Sequence, residues 1–568
     1  MSYNVNTKLR LGGYAMNLTG SDIIMECLLE QDVNTVFGYP GGSIIAVYDS
    51  LYKYSDKIKH ILTSHEQGAA HAADGYSRST GKTGVVLATS GPGATNLVTG
   101  IATAYMDSIP LVAITCNVSN SLLGKDSFQE IDIISITMPI TKHNFLVKKA
   151  ADIAPTIRKA FEIANSGRPG PVLVDITKDA TTDFAEFYSI NKEEKCSDLN
   201  ISDIKNAAKL IKKSKRPLIF AGGGVISADA SNELKQLQEI VDCPVTLSLM
   251  GLGGFPSNHK AFTGMIGMHG TKTTAFAVQN CDLLIAVGTR FSDRVTCDEE
   301  TFAKDAKIIH IDIDRAEINK NILADLFIVG NAKDILSKIC SELAPMTHTK
   351  WMNQIINLKK QTSEYTENDG FNPGNILKCL YQITDGNAII TTDVGQHQMW
   401  AAQFYPINLP RHFISSGGLG TMGFGIGAAI GVQIGNPEKK VINISGDGCF
   451  HMNMNELSTA VKEKLPIIDI IFNNNSLGMV KQWQKIFFDG RFSHTILDKQ
   501  TDYDLITKGF GANAYTVKSL GEFEEAVKQS LENKDKPSVI NCIIDNEEAV
   551  LPMVPNGTPI EKPIINIK

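Results

Sequence analysis

The pattern that most restricts this chain is a texture repeated three times: a short Val/Ile-rich run, a glycine or polar turn, then an amphipathic stretch. Continuous apolar runs bounded by turn residues read as strands buried on both faces. Alternating with helices, such strands give α/β domains with parallel sheets. In the first segment Gly84–Thr89 and Leu111–Thr115 read this way. In the second, Pro217–Ala221, Asp282–Val287 and Lys307–Ile311 do the same, and in the third Ala388–Thr391, Lys440–Ile444 and Pro466–Phe472. At 568 residues the chain is too long for one core. Two polar stretches, Thr181–Asn200 and Met346–Asn372, read as linkers with some helix. The domains expected are therefore about 15–185, 200–345 and 370–550. No short tandem repeat is visible, and the proline-rich tail after Val550 reads as irregular.

Composition narrows the partners. A net charge of −7 is small for this length and gives no reason to expect nucleic acid or an anionic membrane. The 10 cysteines are scattered without CxxC spacing or a neighbouring His cluster, which argues against zinc or disulfides and suits a reducing cytoplasm. Met1–Gly20 lacks the apolar run of a signal peptide. Gly417–Gly435 is free of charge, but glycines punctuate it and no basic cluster flanks it, so a buried turn and helix is expected rather than a membrane span.

The strongest local signal is Gly446-Asp447-Gly448, which follows the Val441–Ile444 strand and precedes a helical stretch expected over Met452–Lys462. A glycine turn there brings backbone N–H groups toward an anion, and Asp447 offers a hard oxygen to a cation. Asn474 follows 27 residues later (474 − 447), at the end of the next strand. One βαβ unit of about 30 residues returns the chain to the same sheet edge, so Asp447 and Asn474 can meet at one magnesium, with the Ser476 carbonyl as a third oxygen. Either motif alone is an ordinary turn or loop; the pair, one crossover apart, is specific for a metal-bound diphosphate.

With these residues in place the chain resembles the acetolactate (acetohydroxyacid) synthase large-subunit family of thiamine-diphosphate enzymes, over nearly its whole length. The segments Glu66–His71, Ser90–Ala94, Ser166–Pro171, Gly267–Gly270, Val394–Trp400 and Gly478–Trp483 carry the resemblance. It implies pyrimidine-binding, central and diphosphate-binding domains. It implies cofactor contacts from Val394, Gly395, Gln396, His397, Gly420, Gly446, Gly448, Gly478 and Met479, and an apolar support beneath the bent cofactor from Met422. Glu66 lies where a strand ends and a small-residue helix starts, and local features leave it equally open as a simple helix cap. The resemblance implies that it is the carboxylate activating the cofactor; Asp74, the competing acid, falls on the helix and reads as solvated or packing. The resemblance further implies a homodimer or homotetramer in which Glu66 and Asp447 meet across a subunit interface.

The activity so implied is decarboxylation of pyruvate and transfer of its hydroxyethyl group to a second 2-keto acid. Pyruvate as acceptor gives 2-acetolactate and 2-oxobutyrate gives 2-aceto-2-hydroxybutyrate, the entry to valine, leucine and isoleucine. Arg294 resembles the arginine receiving the second carboxylate; the competing reading is a salt-bridged or surface arginine beside Asp293. Phe128 and Gln129 match a pair lining the substrate pocket, Gly42 can offer a backbone N–H, Lys178 matches a lysine near the channel mouth, and Val480 and Trp483 face the acceptor.

In the central domain, Gly222 and Gly223 follow a strand and Asp312 ends another, a weak dinucleotide signal alone because the spacing is not G-x-G-x-x-G. The resemblance adds Arg168, Gly267, Met268, His269, Gly270, Arg290 and Asp293 as positions for a structural, non-redox FAD. The chain departs from the family with Ser292 where Asp is common and Cys297 where Gly is usual. A regulatory small subunit is typical of the family. A flavin redox enzyme resembling pyruvate oxidase is the alternative activity; Gln129 and Gly478–Trp483 favour the ligase. A non-catalytic scaffold is disfavoured by Glu66, Asp447 and Asn474 standing together.

Overall fold

The computed structural model describes residues 16–190, 201–362, 370–498 and 500–567. The expected domain limits at 15 and 200, most of Met1–Gly20 and parts of both expected linkers lie outside the described residues. The chain forms two compact units, the first holding one six-stranded sheet and the second holding two.

In the first unit, β1 (Met16–Thr19) is followed by β2 (Thr35–Tyr39), β3 (Lys59–Leu62), β4 (Gly84–Ala88), β5 (Leu111–Asn117), β6 (His143–Val147), β7 (Pro171–Thr177) and β8 (Phe184–Phe187). β1 and β8 pair antiparallel as a two-stranded ribbon. The rest form a parallel sheet in the order β3-β2-β4-β5-β7-β6. Every residue of β4, β5 and β7 is buried, as apolar strands covered on both faces must be. The helices show the matching one-sided pattern: Ile153–Asn165 buries Ile153, Ile157, Ala160, Phe161 and Ala164, spaced three and four apart.

In the second unit, β9 (Pro217–Ala221), β10 (Val245–Leu247), β11 (Phe262–Met265), β12 (Leu283–Val287), β13 (Lys307–Asp312) and β14 (Leu326–Val329) form a parallel sheet ordered β11-β10-β9-β12-β13-β14. Counted within that sheet the order is 3-2-1-4-5-6, that of doubly wound dinucleotide-binding folds. A third parallel sheet follows from β15 (Ile389–Thr392), β16 (Phe413–Ile414), β17 (Val441–Gly446), β18 (Ile468–Asn473), β19 (Asn513–Val517) and β20 (Ser538–Ile543), ordered β16-β15-β17-β18-β20-β19. Its internal order, 2-1-3-4-6-5, repeats that of the first sheet. The two sheets of this unit share one hydrophobic core, with Ile219, Ile285 and Ile309 joined to Ile390, Ile444 and Ile470.

One expectation changes in detail. The helix after the Gly-Asp-Gly turn starts at Asp447 itself, not Met452, and runs to Asn453 before a 3-10 turn and a second helix, Leu457–Lys462. The stretch after Met346, read as a linker with some helix, carries the helix Thr349–Thr362, which buries Trp351, Met352 and Ile355; Trp351 Nε1 donates to the Pro217 carbonyl at 3.0 Å. Asp74 is fully buried, the packing one of its two readings. The charge-free Gly417–Gly435 stretch forms a buried helix, Phe424–Gly435. Among the described residues no helix is long and apolar enough to cross a membrane.

Candidate functional site

In the first unit the loops at the carboxyl ends of β2, β3 and β4 converge. Glu66 opens the helix Glu66–Thr80 directly after β3 and is buried. Its Oε2 accepts from Asn96 Nδ2 at 2.9 Å. A Cβ at Gly93 would sit 3.1 Å from Glu66 Oε1 and 2.7 Å from Thr89 Cγ2, so only glycine lets this turn close on the carboxylate. The same turn reaches Gln129: a Cβ at Gly91 would meet the Gln129 backbone at 3.0 Å. Gln129 holds a left-handed φ of 60°, an uncommon state for a non-glycine residue and a mark of local constraint. Ser43 joins the cluster through its Oγ, 2.7 Å from Ser90 Oγ. Beside it the Gly42 backbone is open, with nothing near the place of a Cβ. Phe128 is 88% exposed and Lys178 stands exposed at the start of the helix Lys178–Thr182, so both are free to meet a ligand.

In the second unit, β17 and β18 are parallel neighbours, and this places the Gly446–Gly448 turn beside the Asn473–Ser476 loop. Asp447 is buried; its Oδ1 accepts from the Gly448 N–H at 2.8 Å. Its Oδ2 is buried and has no hydrogen-bond partner among the described residues. Burial raises its pKa to about 6, against the pull of the N–H groups of Gly448, Asn475 and Ser476. Asn474 Oδ1 accepts from the Ser476 N–H at 3.1 Å and hydroxyl at 3.0 Å. An orphaned carboxylate oxygen beside a buried amide oxygen and a loop carbonyl is a hard-oxygen set that suits a small divalent cation.

Glycines set the shape around this set. Cβ atoms at Gly395 and Gly446 would each lie 2.9 Å from the His397 ring, and one at Gly478 would overlap Gln396 Oε1 at 1.9 Å. Gln396 Nε2 donates to Gln482 Oε1 and the Glu548 carbonyl, each at 3.0 Å, while Asn474 Nδ2 donates to Gln396 Oε1 at 3.2 Å. His397 is buried, and burial pushes its pKa down to about 3, so its ring is neutral. A Cβ at Gly420 would lie 3.9 Å from Val394, and one at Gly448 3.7 Å from Met422 Cε. The Met422 turn therefore reaches the Asp447 turn. Helices start at Gln396 and at Asp447 on either side of this turn, positions that suit an oxyanion.

The helix Gly478–Phe487 begins on the Asn474–Ser476 loop and carries Met479, Val480 and Trp483. The Arg294 guanidinium lies 5.7 Å from the Trp483 ring centroid, a cation–π distance. Its Nη1 is 3.4 Å from Met268 Sδ and its Nε 3.7 Å from Asp293 Oδ2. Asp293 is thus a neighbour of Arg294, as the alternative reading required, yet the arginine side chain stays 55% exposed and open to an anion. Trp483 Nε1 is buried with no partner among the described residues. Val480 is 51% exposed on the same helix.

In the central sheet, Cβ atoms at Gly222 and Gly224 would lie 2.4 Å and 2.6 Å from Gly288, so these glycines let β9 and β12 approach at the point where strand order reverses. Gly223 packs on Met250. Gly267, at φ 104°, lies against the Arg294 carbonyl, and Met268 N donates to that carbonyl at 2.9 Å. His269 is buried with its pKa pushed down to about 4 by burial. Asp312 ends β13 and accepts from the Asp314 N–H at 2.8 Å. Arg290 is half-buried in the loop after β12. Arg168 belongs to the first unit, where its Nε donates to Ser108 Oγ at 2.7 Å. Cys297 adopts φ 60°, a conformation that suits the glycine usual there.

Sequence reasoning missed Asp393, Asn96, Gln482 and Asn453. Asp393 carried a readable signal, an acid at a strand end directly before a glycine turn, as at Asp447. Asn96 and Asn453 each act through one amide contact, to Glu66 Oε2 and to the Gly423 carbonyl, and Gln482 through several, to Gln396 and to the backbone of Val550; no spacing encodes these.

Three family models match the chain: the thiamine pyrophosphate enzyme N-terminal TPP binding domain over residues 18–136, the central domain over 204–339 and the C-terminal TPP binding domain over 393–542. Among curated proteins, a probable acetolactate synthase large subunit of Methanocaldococcus jannaschii is 47% identical over 96% of this chain and 96% of its own. The acetolactate synthase large subunit of Haemophilus influenzae is 42% identical over 97% and 98% respectively. The acetolactate synthase isozyme 3 large subunit of Escherichia coli is 41% identical over 95% and 97%.

Proposed function

The chain belongs to the acetolactate synthase large-subunit family of thiamine pyrophosphate enzymes, and from that membership we propose that it joins two 2-keto acids. Pyruvate loses carbon dioxide, and its remaining two-carbon unit is joined to a second pyruvate, giving 2-acetolactate, or to 2-oxobutyrate, giving 2-aceto-2-hydroxybutyrate. The observation that carries this reading is the helix Gly478–Phe487, which starts on the metal loop and sets Trp483 beneath the Arg294 guanidinium. A half-exposed arginine beside the metal loop supports binding of an acceptor acid next to the cofactor, and so favours this reading over a pyruvate oxidase-like redox enzyme.

Thiamine diphosphate, when bound, supplies the acidic carbon and the electron sink that decarboxylation requires. Asp447 Oδ2, Asn474 Oδ1 and the Ser476 carbonyl would hold Mg2+, and the N–H groups near Gly395, Gly446 and Gly448 would meet the diphosphate. Glu66 would hold the proton exchanged with the pyrimidine ring, its Oε2 fixed by Asn96. Gln129 and the Gly42 N–H would donate to the oxygen that gains charge on the substrate, and Phe128 and Val480 would exclude water around it. Arg294 would take the acceptor carboxylate, and Lys178 would draw anionic substrates inward. Within the second unit, Gly222, Gly223, Gly267–Gly270, Arg290 and Asp312 would hold a structural FAD, the 3-2-1-4-5-6 strand order supporting that part of the reading. We propose a homodimer or homotetramer as the active assembly, with a regulatory small subunit as partner, in the cytoplasm.

Incubation with pyruvate, thiamine diphosphate and Mg2+, with and without FAD, tests this. Acetolactate is the expected product, with the flavin remaining oxidised. Absence of acetolactate in both mixtures overturns the reading, and flavin reduction at the rate of turnover assigns the chain to the redox class instead.

A further inference from the structure

Asp393, Cys449 and His397 place three potential metal ligands within 4.8 Å of one another, all buried. The carboxylate, however, is already engaged by backbone. Asp393 Oδ1 accepts from the Val394 N–H at 2.9 Å and the Gly423 N–H at 2.8 Å, and Oδ2 accepts from the Gly425 N–H at 3.0 Å. The Cys449 thiol approaches from a third side, its Sγ donating to the Val394 carbonyl at 3.1 Å and lying 3.9 Å from His397 Nε2. A buried carboxylate whose two oxygens accept from several backbone N–H groups is an anchor for the segments that bear those donors.

Those segments are specific. Val394 begins the turn that leads to Gln396 and His397. Gly423, at φ 88°, closes the turn that carries Met422, and Gly425 lies in the first turn of the helix Phe424–Gly435. Cys449 follows the Asp447–Gly448 turn. On either side of Met422 the chain is fixed: the Thr421 N–H donates to Ser416 Oγ at 3.1 Å, and the Gly423 N–H donates to Asp393.

We propose that Asp393 is a positioning residue for the cofactor, setting the distance between the turn that faces the diphosphate and the turn that supports the thiazolium through Met422. This rests on the thiamine diphosphate reading given above. Asp393→Asn keeps one acceptor oxygen and turns an NH2 toward backbone donors, so at least one of the two turns is released.

The test is calorimetric titration of Asp393→Asn and of the wild-type protein with thiamine diphosphate and Mg2+, beside the apoprotein unfolding midpoint and hydrogen exchange at the Gly423 and Gly425 amides. The expected result is a dissociation constant raised about tenfold or more, the scale of one lost hydrogen bond to a charged group. Exchange at Gly423 or Gly425 rises, and kcat at saturating cofactor falls while KM for pyruvate holds. Asp393→Glu, with the same charge one methylene out of place, does not restore affinity. Cys449→Ala removes only the thiol contact, keeps the protein folded if the Asn variant fails to fold, and raises the constant about threefold on the same basis. A folded Asp393→Asn protein with wild-type affinity and exchange overturns the proposal, as does an unchanged Cys449→Ala protein where the Asn variant does not fold. A wild-type protein that does not bind the cofactor overturns the function reading and this inference with it; wild-type binding with an unchanged variant overturns this inference alone.

Discussion

At the scale of single residues, two positions carry separable consequences. Glu66 has one oxygen held by Asn96 and the other against Gly93, so its carboxylate is placed rather than free. Glu66→Gln keeps the shape and removes the proton acceptor. Turnover with pyruvate should fall about 10²- to 10⁴-fold with cofactor affinity changed much less, measured by acetolactate formation and by calorimetry. Arg294 lies over Trp483 with its side chain half in solvent. Arg294→Lys keeps the charge but loses the planar fork, and should raise KM for the acceptor acid while thiamine diphosphate affinity holds. Trp483→Leu removes the ring under it and should shift the product ratio from 2-aceto-2-hydroxybutyrate toward 2-acetolactate in mixed-substrate competition. Much at this scale is written in the chain: Gly446-Asp447-Gly448 and Asn474 declare themselves because each ends a strand. Asp393 does not, because its partners are backbone N–H groups brought in from distant turns, and these leave no residue type to read.

At the scale of elements, the strands were legible because parallel strands buried on both faces must be continuous in Val and Ile, as β9, β12 and β18 are. The start of the helix after β17 was not, since Asp447 serves both as first helical residue and as turn acid, and turn composition masks the helix. The same sheet carries a polar layer that patterning does not show. Asp469 of β18 accepts from Asn443 Nδ2 and Ser445 Oγ of β17, each at 2.9 Å, and Thr391 of β15 donates to Asn443 Oδ1 at 2.9 Å. Burial lifts the Asp469 carboxyl from 3.8 to about 7. The folded state therefore binds this proton more tightly than the unfolded chain. The stability it contributes is full below pH 3.8 and is lost as pH rises through about 7. Asp469→Asn mimics the protonated form at every pH. Its stability relative to the wild type should rise by about 1–3 kcal/mol between pH 5 and pH 8, read from paired thermal melts at those two values.

At the scale of the whole molecule, the first and third sheets repeat one strand order although no tandem repeat is visible in the sequence. Order among strands depends on which crossovers return to which edge, and many unrelated sequences satisfy the same order. The division into a one-sheet unit and a two-sheet unit was likewise hidden, because it depends on whether apolar faces meet and not on where linkers lie. The shared core of the second unit has an energetic reading. Two sheets with common apolar side chains melt together, so protection conferred on one is protection of both. Thiamine diphosphate with Mg2+ at 100 times its dissociation constant should stabilise the unit by about 2.7 kcal/mol, and proteolysis of the central sheet should slow by the same factor as that of the third. A flavin seated on the central sheet would act on the third in the same way: an oxidised ring system that never exchanges an electron becomes ballast, lending its binding energy to the sheet where carbon–carbon bonds are made.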